Sequence, residues 1–236
     1  MKLSPASNAC LLLTCPLLNP SGTETVKVLT PAKFHGLLEE LSQKEIDLGE
    51  LATQDFERKV LELSPKFDHE QIIALLERGF QLSQTKDLWS RQDFWVTTQF
   101  EESYPKKLAA KLLEKSPPYI VGIGNRESLD SLNLGVVGSR DLMPDQLAIA
   151  RETGRIAANE NVPVVSGFAR GADQASMFES LSFGGRAIGV LADKLSKIAL
   201  LLETREWIHN DQLTLVTTFD PYSQFSVGNA MQRNKY

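Results

Sequence analysis

Leu134-Gly135-Val136-Val137-Gly138-Ser139-Arg140 and Val164-Val165-Ser166-Gly167-Phe168-Ala169-Arg170-Gly171-Ala172-Asp173 decide the fold. In each, a β-branched apolar run ends in a glycine with a hydroxyl residue beside it, an arginine follows, and a helical pattern begins just beyond. One helix-length segment separates them. Parallel strands joined by crossover helices produce this alternation, and the carboxyl ends of such strands are where these sheets bind ligands. Glycine lets a phosphate reach the backbone, serine supplies a hydroxyl donor, and arginine offers a planar fork to phosphate oxygens. Gly138, Ser139 and Arg140, with Ser166, Gly167, Arg170 and Gly171, therefore form a candidate anion pocket. Asp173, at the head of the second helix, suits the positive end of the helix dipole, and a further role in orienting Arg170 is open.

Outward from these turns the period alternates between strand and helix. Strands are expected over 134–138, 163–166, 187–191 and 213–217. A helix opens at Pro144 with Leu147, Ala150, Gly154 and Ala157 on one stripe, a second runs through Ala172, Ala175, Met177 and Phe178, and a third covers 195–207. Right-handed crossovers make these strands parallel, with both faces covered. The expected class is α/β, a Rossmann-like parallel sheet over 134–236. It lacks the GxGxxG fingerprint with its ribose-binding acid, so no dinucleotide or other cofactor is expected.

Upstream, residues 1–82 read as a small helical domain. Thr30 caps a helix that starts at Pro31 and repeats Phe34, Leu37, Leu38 and Leu41 at helical spacing. Asp68-His69-Glu70-Gln71 opens another as a capping box, and Gly79 is expected to stop it. The apolar run over 9–18 resembles a signal peptide only superficially. Thr14 and Pro16 interrupt it, Lys2 alone precedes it as a basic residue, and it is too short to span a bilayer. A buried first helix beginning near Ser7-Asn8 is the better reading. Residues 83–133 form a connecting region whose Trp89, Phe94, Trp95, Phe100 and Tyr104 fill a core beneath a linker, base stacking being the alternative. Ser116-Pro117-Pro118 and Asn125-Arg126-Glu127-Ser128 mark turns before the sheet.

Composition narrows the function classes. The two cysteines, Cys10 and Cys15, form no disulfide framework and lack a CxxC or Cys/His set, which places the chain in a reducing cytoplasm. His35, His69 and His209 are scattered, so no metal site is expected. Ser139 and Ser166 have no histidine placed to activate them, which argues against a Ser-His-Asp hydrolase. The net charge is −5, divided as −4 over 1–133 and −1 over 134–236. Such a chain does not coat duplex DNA unspecifically. Any nucleic-acid contact has to be a focused groove in which Arg140, Arg170, Arg186, Arg233 and Lys235 are gathered by the fold.

The same residues resemble the DprA/Smf family of bacterial recombination mediators. Gly138-Ser139-Arg140, then 166–173, then Gly184-Gly185-Arg186-Ala187-Ile188-Gly189-Val190-Leu191 are similar to its successive motifs. Tyr104-Pro105-Lys106-Lys107-Leu108 and 117–124 resemble its lead-in to the sheet, and Gln232-Arg233-Asn234-Lys235 the start of its Arg-Asn-Arg motif. The resemblance implies single-stranded DNA as ligand, with Phe168, Asp173, Arg233, Asn234 and Lys235 joining the pocket. It implies hand-over of the strand to RecA recombinase as in natural transformation, a homodimer when the domain is complete, no catalysis, no membrane, and a SAM-like N-terminal bundle, for which packing or dimerisation is the plainer reading. Family members continue past the position of Tyr236 with more of the same domain, so a sheet incomplete at its C-terminal side, with an open edge, is expected. The alternatives are a nucleotide-sensing module and a nucleoside monophosphate-processing enzyme of the LOG type. The latter's Pro-Gly-Gly-x-Gly-Thr loop and glutamate have no counterpart at Ser182-Phe183-Gly184-Gly185-Arg186.

Overall fold

The computed structural model describes residues 1–18, 26–53, 55–224 and 226–234. It divides into two compact units, Met1–Ile120 and Val121–Tyr236.

The first unit holds helices α1 (Pro5–Thr14), α2 (Pro31–Gln43), α3 (Phe56–Leu61), α4 (His69–Leu76) and α5 (Gly79–Arg91), then strand β1 (Trp95–Thr98) and helix α6 (Lys106–Leu112). Helix α1 is its centre: apolar on all sides, it buries Ala9, Cys10, Leu11, Leu12 and Leu13. Ser4 starts it by accepting from the Ser7 N–H at 3.2 Å, with Pro5 at the first helical position. The Arg78 guanidinium finishes it, donating to the carbonyls of Leu12 and Cys15. Thr30 and Asp68 cap α2 and α4 by accepting from Lys33 and Gln71 N–H groups. Gly79 does not close α4 as its sequence suggests. It opens α5, one residue after Glu77 and Arg78 turn the chain. Glu40, buried on α2, accepts from the backbone and hydroxyl of Ser64 at 2.7 and 3.0 Å and pairs with Lys66 at 3.0 Å. Lys66 and Ser64 hold its carboxyl below the usual range. Trp89 and Tyr104 are buried, which fits the core reading of those aromatics.

Strand β2 (Tyr119–Ile123) straddles the division. The second unit continues with β3 (Leu134–Gly135), α7 (Pro144–Asn159), β4 (Val164–Ser166), α8 (Ala172–Ser182), β5 (Ala187–Leu191), α9 (Leu195–Ile198), α10 (Leu202–His209), β6 (Leu213–Thr217) and α11 (Val227–Arg233). Among the described residues the sheet has six strands in the order β1-β2-β6-β5-β4-β3. Strands β3 to β6 are parallel and in register, Val165 lying opposite Gly135 and Ile188, and Gly189 opposite Ser166 and Leu215. This is the Rossmann-like α/β sheet read from the sequence. It is mostly rather than wholly parallel, because β2 runs antiparallel to β6 with Gly122 opposite Val216. Strands β1 and β2 also come from the segment that reads as a connection, where four or five residues without alternation give little periodic signal.

Strands β3 to β6 sit side by side in chain order, so right-handed crossovers bring α7, α8 and α10 onto one face, where the rings of Phe178 and Trp207 meet 5.4 Å apart. The opposite face is covered unequally. Thr214 there is bonded by Ser128 Oγ and by the Asn125 carbonyl, while Val137, beside the edge, is 92 % exposed. Strand β3 is shorter than 134–138 because it pairs on one side only, Val136 N–H reaching the Val165 carbonyl as its last rung. The expected helix over 195–207 is broken by extended backbone at Leu201, a break that nothing in the local sequence explains.

Candidate nucleic-acid interface

Because β3 and β4 are parallel neighbours, their two glycine-bounded turns emerge at the same edge. The Ala172 N–H donates to the Ser139 carbonyl at 3.1 Å and pins one turn to the other. Gly171, at φ +95°, makes this possible: a Cβ there would sit 2.1 Å from the Ser139 oxygen and 2.7 Å from Arg140 Cα. Arg140 and Arg170 therefore project from adjoining turns. The second turn is fixed by α8, whose buried Asp173 accepts from the Ala169 N–H at 3.3 Å while Gln174 N–H reaches the Ala169 carbonyl at 3.1 Å. Phe168 takes a left-handed φ of 58°, a strained setting for a bulky residue costing about 1–3 kcal/mol, and packs its buried ring edge-on to Phe178 at 5.5 Å.

Both hydroxyls are engaged by backbone groups. Ser166 Oγ donates to the Val136 carbonyl at 2.6 Å, and Ser139 Oγ braces its own turn, donating to the Asp141 carbonyl and accepting from the Asp141 N–H. Arg170 pairs with Asp141 rather than Asp173. Both side chains are mostly exposed, so the pair is screened and an incoming anion competes with it readily. Arg233, from α11, donates through Nη1 to the carbonyls of Gly167 (2.8 Å) and Val190 (3.2 Å), at the carboxyl ends of β4 and β5, and through Nε to Asn234 Oδ1. Its guanidinium occupies the space a Gly167 side chain would need, 1.8 Å from the Cβ position. Lys235 lies outside the described residues.

A cleft of about 410 Å³ opens over these ends, lined by Arg140, Gly167, Phe168, Arg170, Lys194 and Arg233. Lys194 is a residue that the sequence presents as a solvated helix start. It stands just past β5 in a left-handed turn, its N–H donating to the Ser223 carbonyl and its ammonium 3.7 Å from Asp193. The strand-end rule that singles out Arg140 and Arg170 would have found it on the third strand. Arg186 has to be removed from the expected groove. It precedes β5, so it lies at the opposite, amino edge of the sheet, where it donates to Asn161 Oδ1. In the first unit, His35, Glu39 and Glu114 bring their ligand atoms within 4.8 Å of one another, a grouping hidden in the sequence by the distance to Glu114. No helix of the described residues is long and apolar enough to cross a membrane.

The fold is that of a Rossmann-like protein, with a cleft lined by Arg140, Arg170, Lys194 and Arg233 at its strand ends. Residues 95–236 match the family model of DNA recombination-mediator protein A, and the chain belongs to that family. The fold agrees with the X-ray structure of DNA processing protein A from Streptococcus pneumoniae, at a TM-score of 0.66 and 20 % identity over 100 % of this chain and 74 % of that one. DNA processing protein A from Helicobacter pylori, described for its single-stranded DNA binding mode, aligns at a TM-score of 0.47 and 17 % identity over 60 % of this chain and 63 % of that one. No curated protein matches the chain in sequence.

Proposed function

We propose that this protein binds single-stranded DNA across the carboxyl edge of β3, β4 and β5 and acts as a recombination mediator without catalysing a reaction. Membership of the family supports the reading, and one observation carries it. The Gly171 contact sets Arg140 and Arg170 side by side over a cleft that Lys194 also lines. Gly138, Gly167 and Gly171 keep the backbone low, Arg140, Arg170 and Lys194 neutralise phosphates, and Ser139, Ser166, Asp173, Arg233 and Asn234 hold the turns that carry them. Phe168 offers an apolar wall. A short cationic edge on an acidic chain matches one flexible strand better than the rigid face of a duplex. Hand-over of the bound strand to RecA, a homodimer and a cytoplasmic setting complete the proposal.

Fluorescence anisotropy tests it with labelled oligo(dT), a duplex of equal length, and AMP as competitor. The reading expects sequence-tolerant binding of the single strand, weaker binding of the duplex and no turnover of AMP. Preference for the duplex overturns it, and release of adenine from AMP installs the enzymatic alternative.

A further inference from the structure

Three side chains that the strand-end cleft does not use meet on the first unit. His35 and Glu39 are one turn apart on α2, and Glu114 comes from the short turn that follows α6. Their ligand atoms lie within 4.8 Å of one another, the Nε2 of His35 standing 3.5 Å from Glu39 Oε1 and 3.8 Å from Glu114 Oε2. Both distances exceed that of an N–H···O hydrogen bond, about 2.7–3.2 Å. They come close to the separation of roughly 3.3 Å between neighbouring ligands of a tetrahedral zinc with bonds of about 2.0–2.1 Å. Leu113, just before Glu114, holds a positive φ of 49° with ψ −122°, although it is 71 % exposed and its own packing does not fix the turn. A bulky residue keeps such a conformation only where its surroundings over-determine it, and here the turn delivers Glu114 to the imidazole.

The donor set fits a borderline divalent cation. Imidazole with carboxylates suits zinc and its neighbours, whereas magnesium and calcium take oxygen ligands. Two carboxylates balance the two charges of the ion, and a neutral imidazole adds none. The imidazole is partly buried and both carboxylates are exposed, so the ion enters from solvent and keeps a water on its open side. We propose that His35, Glu39 and Glu114 form a three-ligand site for a divalent transition metal, zinc by preference, in which a water completes the tetrahedron and the ion clasps α2 to the turn after α6. Because the fold brings Glu114 to α2, the ion binds the folded arrangement and adds stability to the first unit. Neither the donors nor their geometry depends on the single-stranded DNA reading.

Thermal melts and isothermal titration of the full chain with zinc chloride test the site, with cobalt(II) as a spectroscopic probe. Zinc at about a hundred times its Kd should raise the melting temperature by roughly 5 °C or more. Cobalt should give the visible bands of a low-coordinate site without the near-ultraviolet charge transfer of a thiolate, which separates this site from the free Cys10 and Cys15. His35→Ala and Glu114→Gln should each weaken metal binding about tenfold or more and keep the metal-free melting temperature, since neither side chain is buried. Glu114→Gln preserves size and decides the matter if His35→Ala does not fold. If the two glutamates serve only to hold a protonated His35, zinc will give no shift, and that result overturns the proposal. Unchanged zinc affinity in either folded variant, or an equal shift from magnesium, overturns it as well.

Discussion

At Gly171 the backbone stands at φ +95°, with the Ser139 carbonyl oxygen 2.1 Å from where a Cβ would be, so an alanine there meets both strain and collision. Gly171→Ala should lower folding stability by about 1–3 kcal/mol, read by urea unfolding, and should weaken oligo(dT) binding further by splaying Arg140 from Arg170. Glu40 offers a second residue-scale test. Lys66 and Ser64 depress its pKa in the folded protein, so its contribution is present above the ordinary carboxylate value of 4.5 and is lost as pH falls through the lower folded value. Glu40→Gln should therefore be less stable than the parent at pH 7, with the gap closing as the pH falls below the ordinary carboxylate value of 4.5 and through the lower folded value. A gap independent of pH would assign the loss to packing. The glycines and the two arginines were legible because strand-end position alone marks them. The holds of Ser166 on the Val136 carbonyl and of Arg233 on two carbonyls were not, since each depends on a partner set by the tertiary fold.

Elements were legible where a cap or an uninterrupted period announces them. Thr30-Pro31, Asp68 and Pro144 each open a helix in the structure, and the strands at 187–191 and 213–217 are where β-branched runs place them. Less legible were β1 and β2, too short for a period, and the edge strand β3, whose length is limited by having one neighbour. Helix α1 gives the element-scale prediction. Ser4 caps it, and the Ser7 hydroxyl ties it to Thr98 Oγ1 and Glu101 Oε1 at 2.7 and 2.6 Å. Ser4→Ala should cost about 1 kcal/mol of stability by the loss of the cap, read in a thermal melt. No change would mean that burial of Leu11 and Leu13 alone fixes the helix.

For the whole molecule, a net charge of −5 combined with a cleft lined by few cations predicts that the proposed binding neutralises few phosphates at once. Three cations, Arg140, Arg170 and Lys194, imply a slope of log K against log salt of about −2 for a single strand. Charge composition pointed to a focused groove. It could not say that Arg186 sits at the wrong edge, since that follows from strand direction. The most direct measurement is a salt titration of oligo(dT) binding by the parent protein and by Arg140→Ala/Arg170→Ala. The account predicts weakening by about 1.5–3 kcal/mol per arginine and a slope flattened by between one and two, with the melting temperature held because both side chains are exposed. An unchanged slope and affinity in a folded double variant would contradict the placement of the strand on this edge.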